Sequence, residues 1–223
     1  MVLRSTSKVA GHRSSGAGDG GLQSLVGEIR QCRLCVDAPK GKPLPHAPRP
    51  VLQVSSTARI GVFGQAPGLK VHHSGKPFTD PSGVRLREWM GVGEEVFYDS
   101  AKVAIVPMGF CFPGYNGKGA DLPPRKECAP HWRSVLLEKM PNLELVLLVG
   151  RYAQNWHLGE HNRASLTESV AAWREVAAFG QPKLVPLPHP SWRNNAWIKR
   201  NQWFETELLP ELRGQIAQTL EMM

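Results

Sequence analysis

Six side chains stand out in this chain for what they can do chemically: Cys32, Cys35, Cys111, Cys128, Asp80 and His189. The first four are all the cysteines it has. Cys32 and Cys35 form a C-x-x-C pair, and sixteen residues separate Cys111 from Cys128. Without a secretory signal, that pattern points to a metal rather than to disulfides. Four thiolates suit a tetrahedral zinc ion or a 4Fe–4S cluster. The excursion between the second pair, with Phe112-Pro113-Gly114-Tyr115 and Leu122-Pro123-Pro124, is long and irregular, and a bound metal would hold it. Reduced, partly buried cysteines without metal are the alternative.

Asp80 lies in the stretch Ile60–Gly83, where an apolar run empties into Gly64-Gln65-Ala66-Pro67-Gly68 and then into an irregular segment ending at Ser82-Gly83. It is the only acidic residue between Asp37 and Glu88, so a carboxylate role in that loop has one candidate. His189 stands in Leu187-Pro188-His189-Pro190-Ser191-Trp192-Arg193-Asn194-Asn195, at the end of another apolar run and stiffened by prolines. Carboxyl ends of strands in open α/β sheets are where ligands bind. The Gly64–Gly68 turn lacks the Lys-Ser/Thr of a Walker loop and the G-x-G-x-x-G fingerprint, which argues against a nucleotide cofactor. His72-His73 has no nearby third ligand and is a weak metal signal.

The elements that must position these groups read as alternating strands and helices. Apolar runs at Ala58–Gly64, Val103–Phe110, Leu143–Gly150 and Lys183–Leu187 are short and lack clean polar alternation, as strands covered on both faces do. Helical patterns fall at Leu22–Cys32, Val84–Met90, Lys126–Met140, Arg151–Leu158, Leu166–Ala178 and Trp203–Met223, the last interrupted or restarted at Pro210. Ala38–Pro50, with five prolines, is an extended connector. The expectation is one α/β domain over residues 21–223, a three-layer α/β/α sandwich around a four-stranded parallel sheet.

A formal net charge of +8 suggests a polyanionic partner, nucleic acid ahead of membrane. No apolar run is long enough to span a bilayer. Trp192–Phe204 interleaves Arg193, Lys199 and Arg200 with Trp192, Trp197, Trp203 and Phe204. Such a mixture can neutralise phosphates and stack on bases. Trp203 and Phe204 are expected to pack the last helix, with Arg193 and Lys199 on the surface. Residues 1–20 read as a disordered basic tail, with a mitochondrial-type presequence as the other reading. A cytoplasmic, nucleoid-associated location follows for a bacterial protein, a mitochondrial one if the tail is a presequence. A monomer is expected.

In this order and spacing, C-x-x-C at Cys32/Cys35, GQAPG at Gly64–Gly68, SGKPFTDPSG at Ser74–Gly83, the pair Cys111/Cys128 and HPSWRN at His189–Asn194 resemble the uracil-DNA glycosylase superfamily, most closely its iron–sulfur branch. The resemblance runs from about Leu22 to Leu212. It implies a base pocket at the carboxyl ends of the strands and a 4Fe–4S cluster on the four cysteines, preferred over zinc on this ground alone. The implied activity is monofunctional excision of uracil or a related deaminated base, extruded from DNA, by hydrolysis of its N-glycosidic bond. His189 matches the histidine that stabilises the leaving base, and Phe78 the aromatic that stacks on it. Asp80 matches the aspartate that one branch uses on the sugar side, with one residue fewer in its motif. Gln65, Ala66, Ser191 and Asn194 fall at substrate-binding positions, and Arg193 and Lys199 are the expected DNA contacts.

Two departures accompany the likeness. Ala66 stands where other members carry a catalytic Asp or Asn. The second strand, Ile105-Val106-Pro107-Met108-Gly109-Phe110, lacks the Asn that reads the uracil edge, leaving the preferred base open. A cluster-containing DNA-binding protein without glycosylase activity is the alternative.

Overall fold

The computed structural model describes residues 17–178 and 180–222. In chain order the elements are α1 (Ala17–Arg30), α2 (Leu34–Asp37), β1 (Ile60–Phe63), α3 (Leu69–Ser74), α4 (Pro81–Met90), α5 (Glu94–Phe97), β2 (Val103–Ile105), α6 (Cys128–Glu138), β3 (Leu145–Val149), α7 (Arg151–His157), α8 (Leu166–Ala171), α9 (Trp173–Ala178), β4 (Lys183–Leu187), α10 (Asn195–Arg200) and α11 (Leu209–Glu221). Helix α1 takes in the last four residues of the segment expected to be a tail, and residues 1–16 lie outside the described residues.

All strand pairs are parallel, in the order β2-β1-β3-β4. The expected three-layer sandwich is the observed one. Strand residues alternate between two apolar layers, as the two-residue side-chain period requires. Leu145, Leu147 and Val149 of β3 join α4, α5, α10 and α11 through Leu86, Trp89, Phe97, Ile198, Leu212 and Ile216. Val146 and Leu148 face the other way, onto Leu22, Val26 and Ile29 of α1 and Trp132 and Leu136 of α6. Pro186 lies on β4, an edge strand, where a missing ladder N–H is tolerated.

Several elements differ from the sequence expectation, each for a local reason. The run Val103–Phe110 is strand only to Ile105, because Pro107 cannot donate to a ladder. The chain nonetheless keeps alongside β1, with Val106 N–H donating to Val62, Met108 N–H to Gly64 and Gly109 N–H to Gln65 carbonyls. The helical pattern 166–178 breaks at Ala172 into α8 and α9, so that Val170 and Trp173 serve one apolar layer and Val176 the other. The segment after Gly68 is less irregular than expected, since α3 fills Leu69–Ser74 and Pro81-Ser82-Gly83 is the first turn of α4. Pro210 falls in the first turn of α11, where its missing N–H costs nothing, and a π-helical turn (Phe204–Leu208) precedes it.

One buried charge is central. Arg133 on α6 is 1% exposed, and among the described residues no carboxylate pairs with it. It donates to the carbonyls of Val106 (3.3 Å) and Pro107 (3.1 Å) and to His157 Nε2 (2.6 Å), and its guanidinium lies 4.5 Å from the Phe63 ring centroid. Burial pulls Arg133 down to about 9, so it stays charged at neutral pH. Burial, and then the neighbouring Arg133, pull His157 down to about 3. A neutral His157 must therefore carry its proton on Nδ1 and accept at Nε2.

His157 titrates near 6.5 once unfolded and near 3 in the fold, so the unfolded chain takes up the extra proton as pH drops below 6.5. That contribution to stability is fully present above pH 6.5 and is lost on acidification. Between pH 7 and 5 the loss from this group is about 2 kcal/mol. Urea unfolding at the two pH values should show His157→Gln, which keeps an acceptor for Arg133, losing about that much less than the wild type. Equal losses would remove His157 from the account.

Candidate active site

Because β2 and β3 flank β1 on opposite sides, the chain reverses its winding at β1, and a crevice opens at the carboxyl end of that strand. Gln65, Pro107 and His189 each stand two residues beyond their strands' ends, on β1, β2 and β4. They line one pocket, together with Gly64, Ala66, Pro67, Gly68, Phe78, Asp80, Ser82 and Asp121. The structure thus brings together Gln65, Ala66, Phe78, Asp80 and His189.

Asp80 occupies the N-cap of α4, a place where Asp normally bonds the first helical N–H groups for about 1 kcal/mol. Here no side-chain cap forms, and among the described residues no hydrogen bond or ion pair to its carboxylate is found. The group is turned instead toward the pocket. Phe78, two residues earlier, has φ 54°, a left-handed conformation that is strained for an aromatic. Two contacts hold it there. Tyr98 donates its hydroxyl to the Phe78 carbonyl at 3.1 Å, and Gly83 leaves room for that carbonyl, which would lie 1.8 Å from any Cβ at position 83. The Phe78 ring, half-buried, sets its tip against Gly64, packs T-shaped with Phe97 and lines the pocket.

His189 sits over Gly150, the left-handed residue (φ 85°) that starts α7. The strand leading to it is pinned at Leu187, whose carbonyl accepts from Gly150 N–H and from the fully buried Gln154 amide at 2.8 Å. Burial pulls the imidazole below its ordinary value, against an upward pull from the Asp80 charge. It is therefore neutral at physiological pH. Asn194 donates to the His189 carbonyl at 2.7 Å and closes the turn. Arg85 of α4 reaches the same loop through the Ser191 carbonyl and Asn195 Oδ1, so the helix that begins after Asp80 is tied to the loop that carries His189.

Outside the pocket a wide groove is lined by Lys70, Arg85, Ser191, Trp192, Arg193 and Asn194 among others. Trp192 is 73% exposed at its edge, with Arg193 beside the ring. Lys199, on the exposed face of α10, lines neither pocket nor groove. Trp197, Trp203 and Phe204 pack together under α10, as core.

The residue that sequence reasoning missed is Asp121. The Cys111–Cys128 excursion is not irregular at its tip. A small hairpin forms there, with an antiparallel bridge between Tyr115 and Asp121 and an Asn116 N–H to Ala120 carbonyl bond. It delivers Asp121 to the pocket. Burial raises its carboxyl above the ordinary range; Arg193 opposes this and Asp80 adds to it. The available signal was that Asp121 and Glu127 are the only acids in the excursion. Glu127 is consumed by Arg125: burial pushes its carboxyl up, but hydrogen bonds from Arg125, from its own backbone and from Lys40 N–H, with the Arg125 charge, together hold it below the usual range.

The four cysteines line a second, smaller cavity with Pro48, Pro50, Phe110, Arg125 and Trp132. No disulfide joins them. Each sulfur meets one N–H donor: Cys32 that of Trp132 (3.3 Å), Cys128 that of Phe110 (3.4 Å), Cys35 the Arg125 side chain and Cys111 the Arg49 backbone. Without a metal, burial pushes Cys111 and Cys128 up to about 12. Among the described residues no three His, Cys, Asp or Glu side chains are grouped so that they could hold a metal ion.

A model of the Uracil DNA glycosylase superfamily matches residues 52–213. The chain belongs to that superfamily. Membership points to a DNA glycosylase, a hydrolase acting on DNA, and the matched span contains Gln65, Phe78, Asp80, Asp121 and His189 of the pocket. It also contains Cys111 and Cys128 but not Cys32 and Cys35. Among the described residues, no helix is long and apolar enough to cross a membrane.

The wall that carries Phe78 can be tested by Gly83→Ala. The added methyl must displace the Phe78 carbonyl, so the variant should lose at least about 2 kcal/mol in denaturant unfolding. The neighbouring Ser82→Ala should stay within about 1 kcal/mol of wild type.

Proposed function

We propose that this protein is a monofunctional DNA glycosylase that removes uracil or a related deaminated base from DNA. The observation that supports it most is the convergence of Asp80, His189 and Phe78 on one pocket beneath a basic groove. An extruded base would stack on Phe78 with Gln65 at its edge. As the C1′–N bond breaks, its electrons pass to the base and positive charge develops on the sugar. Neutral His189 donates a ring N–H to a keto oxygen of the leaving base and stabilises its negative charge. Asp80, free of its capping duty, offsets the charge on the sugar and takes the proton of the attacking water. Ala66 leaves room in the pocket and performs neither step. Ser191, Arg193 and Trp192 would face the DNA at the groove edge, while Asn194 serves the loop's shape. Lys199 would add long-range attraction to phosphates.

Single-turnover assays on oligonucleotides bearing uracil, hypoxanthine or xanthine, followed by alkaline cleavage of abasic sites, test this reading. Asp80→Asn and His189→Ala should each slow excision about 10²- to 10⁴-fold. No product from any of the three substrates would end it, and salt-sensitive DNA binding would then remain as the activity.

We also propose that Cys32, Cys35, Cys111 and Cys128 hold a 4Fe–4S cluster, which places the chain in the iron–sulfur branch. Four sulfurs around one cavity, each with an N–H donor, are a donor set suited to anionic thiolates. When bound, the group would fix the connector to the hairpin stem, and no part of the excision is assigned to it. Protein purified without oxygen should be brown with broad visible absorption and contain iron. Colourless protein containing zinc would overturn the assignment.

A further inference from the structure

The groove around the pocket carries two aromatic side chains that the core does not use. Of the large apolar side chains exposed among the described residues, Trp192 (73% exposed) and Tyr115 (49%) are the two that line it. Each stands next to a pocket residue. Trp192 follows His189 by three positions, and Tyr115 is the bridge partner of Asp121. Side chains opposed across an antiparallel bridge share a face, so Tyr115 lies on the side of the hairpin that Asp121 turns to the pocket. The two rings therefore come from separate walls, the β4–α10 loop and the hairpin, that both border the pocket. Both backbones are fixed. The Trp192 turn is held by Asn194 N–H on the Ser191 carbonyl (3.1 Å), by the Asn194 amide on the His189 carbonyl and by Arg85 on the Ser191 carbonyl. The Leu122 N–H to Gly114 carbonyl bond (2.9 Å) closes the hairpin, and the Tyr115 ring meets Phe112 edge-on, with centroids 5.0 Å apart. The groove's only acids among the described residues, Asp80 and Asp121, also line the pocket, which leaves the rim to Lys70, Arg85 and Arg193.

We propose that the groove takes single-stranded DNA, with Trp192 and Tyr115 stacking on the unpaired bases that flank the one in the pocket. The inference rests on the glycosylase reading above, which gives the pocket to the extruded base. Every base has a π face, so stacking on an aromatic side chain is tolerant of sequence. In a duplex those faces are already taken by neighbouring base pairs, and neither ring finds a partner until a step is unstacked. In a single strand the faces are open at little cost, and the central base reaches the pocket without breaking a pair. Lys70 and Arg193 meet the phosphates that run past the two rings, and the net charge of +8 draws the strand in. With a fixed turn beneath each ring, little conformational freedom is lost on binding.

The test is fluorescence anisotropy of the full chain with a short labelled oligonucleotide, undamaged, as a single strand and as the matching duplex. The wild type should bind the single strand at least about 10-fold more tightly. Trp192→Ala and Tyr115→Ala should each weaken single-strand binding about 5- to 100-fold, and duplex binding by less than about 3-fold. Trp192→Phe and Tyr115→Phe keep a ring and should stay close to wild type. Trp156→Ala removes an exposed tryptophan that lines neither pocket nor groove, and should leave both affinities unchanged. Thermal unfolding checks that each variant is folded. Equal or tighter binding of the duplex by the wild type overturns the inference, as do alanine variants that bind the single strand normally. A Trp192→Ala loss confined to the duplex would make the indole a wedge between paired bases, and overturns it too. Because the probe carries no damaged base, these results stand apart from the excision assays, whose failure alone would end the glycosylase reading.

Discussion

A guanidinium almost without access to water ties together the two working parts of this protein. Arg133 projects from α6, the helix that begins at Cys128, onto the carbonyls of Val106 and Pro107. Those carbonyls belong to the stretch where β2 stops being a strand yet must still run beside the Gly64–Gly68 turn. Pro107 lines the pocket, and three residues later Phe110 directs its N–H at Cys128. A carboxylate partner for Arg133 would neutralise the charge but leave those carbonyls bare. With carbonyls, an imidazole nitrogen and the Phe63 ring as partners, the charge is dispersed and the backbone satisfied together. Moving Arg133 would shift pocket floor and cysteine cavity at once.

The pocket itself shows how local preferences yield to the site. An Asp at a helix start would ordinarily cap it, and a Phe would ordinarily avoid positive φ. Asp80 and Phe78 give up both preferences within three residues, and Gly83 and Tyr98 restrain the result. Violations of local rules clustered this tightly are where function is expected.

Much of this was legible in the sequence. Unbroken aliphatic runs announced a parallel sheet covered on both faces, and β4 and α7 fell almost where their patterns lay. That Asp80 and His189 would meet could be read because Asp80 was alone in its loop and His189 closed a strand. What stayed hidden depended on tertiary partners. The early end of β2 followed from Pro107, but its continued pairing with β1 did not. Short helices such as α3, α5 and α10 carry too few residues for a periodic signal. Asp121 lay in a stretch of Gly and Pro that reads as loop, and only the Tyr115 pairing carries it back to the pocket. Asn194 could be placed in the groove from its motif, but not its hydrogen bond to the His189 carbonyl, which needs the turn to be seen.

The interlock of Phe78, Gly83 and Tyr98 bears on how such a pocket can diversify. A wall built from a strained carbonyl, a glycine that tolerates no methyl and a phenol that must reach 3.1 Å cannot change one member at a time. Any lineage that altered the stacking side would need coordinated replacements and would pass through unstable intermediates. The hairpin tip carries no such debt, since its pocket-facing side chain can be exchanged without disturbing a neighbour. Drift in base preference among descendants of this scaffold should therefore be concentrated at the tip, with the stacking wall inherited unchanged.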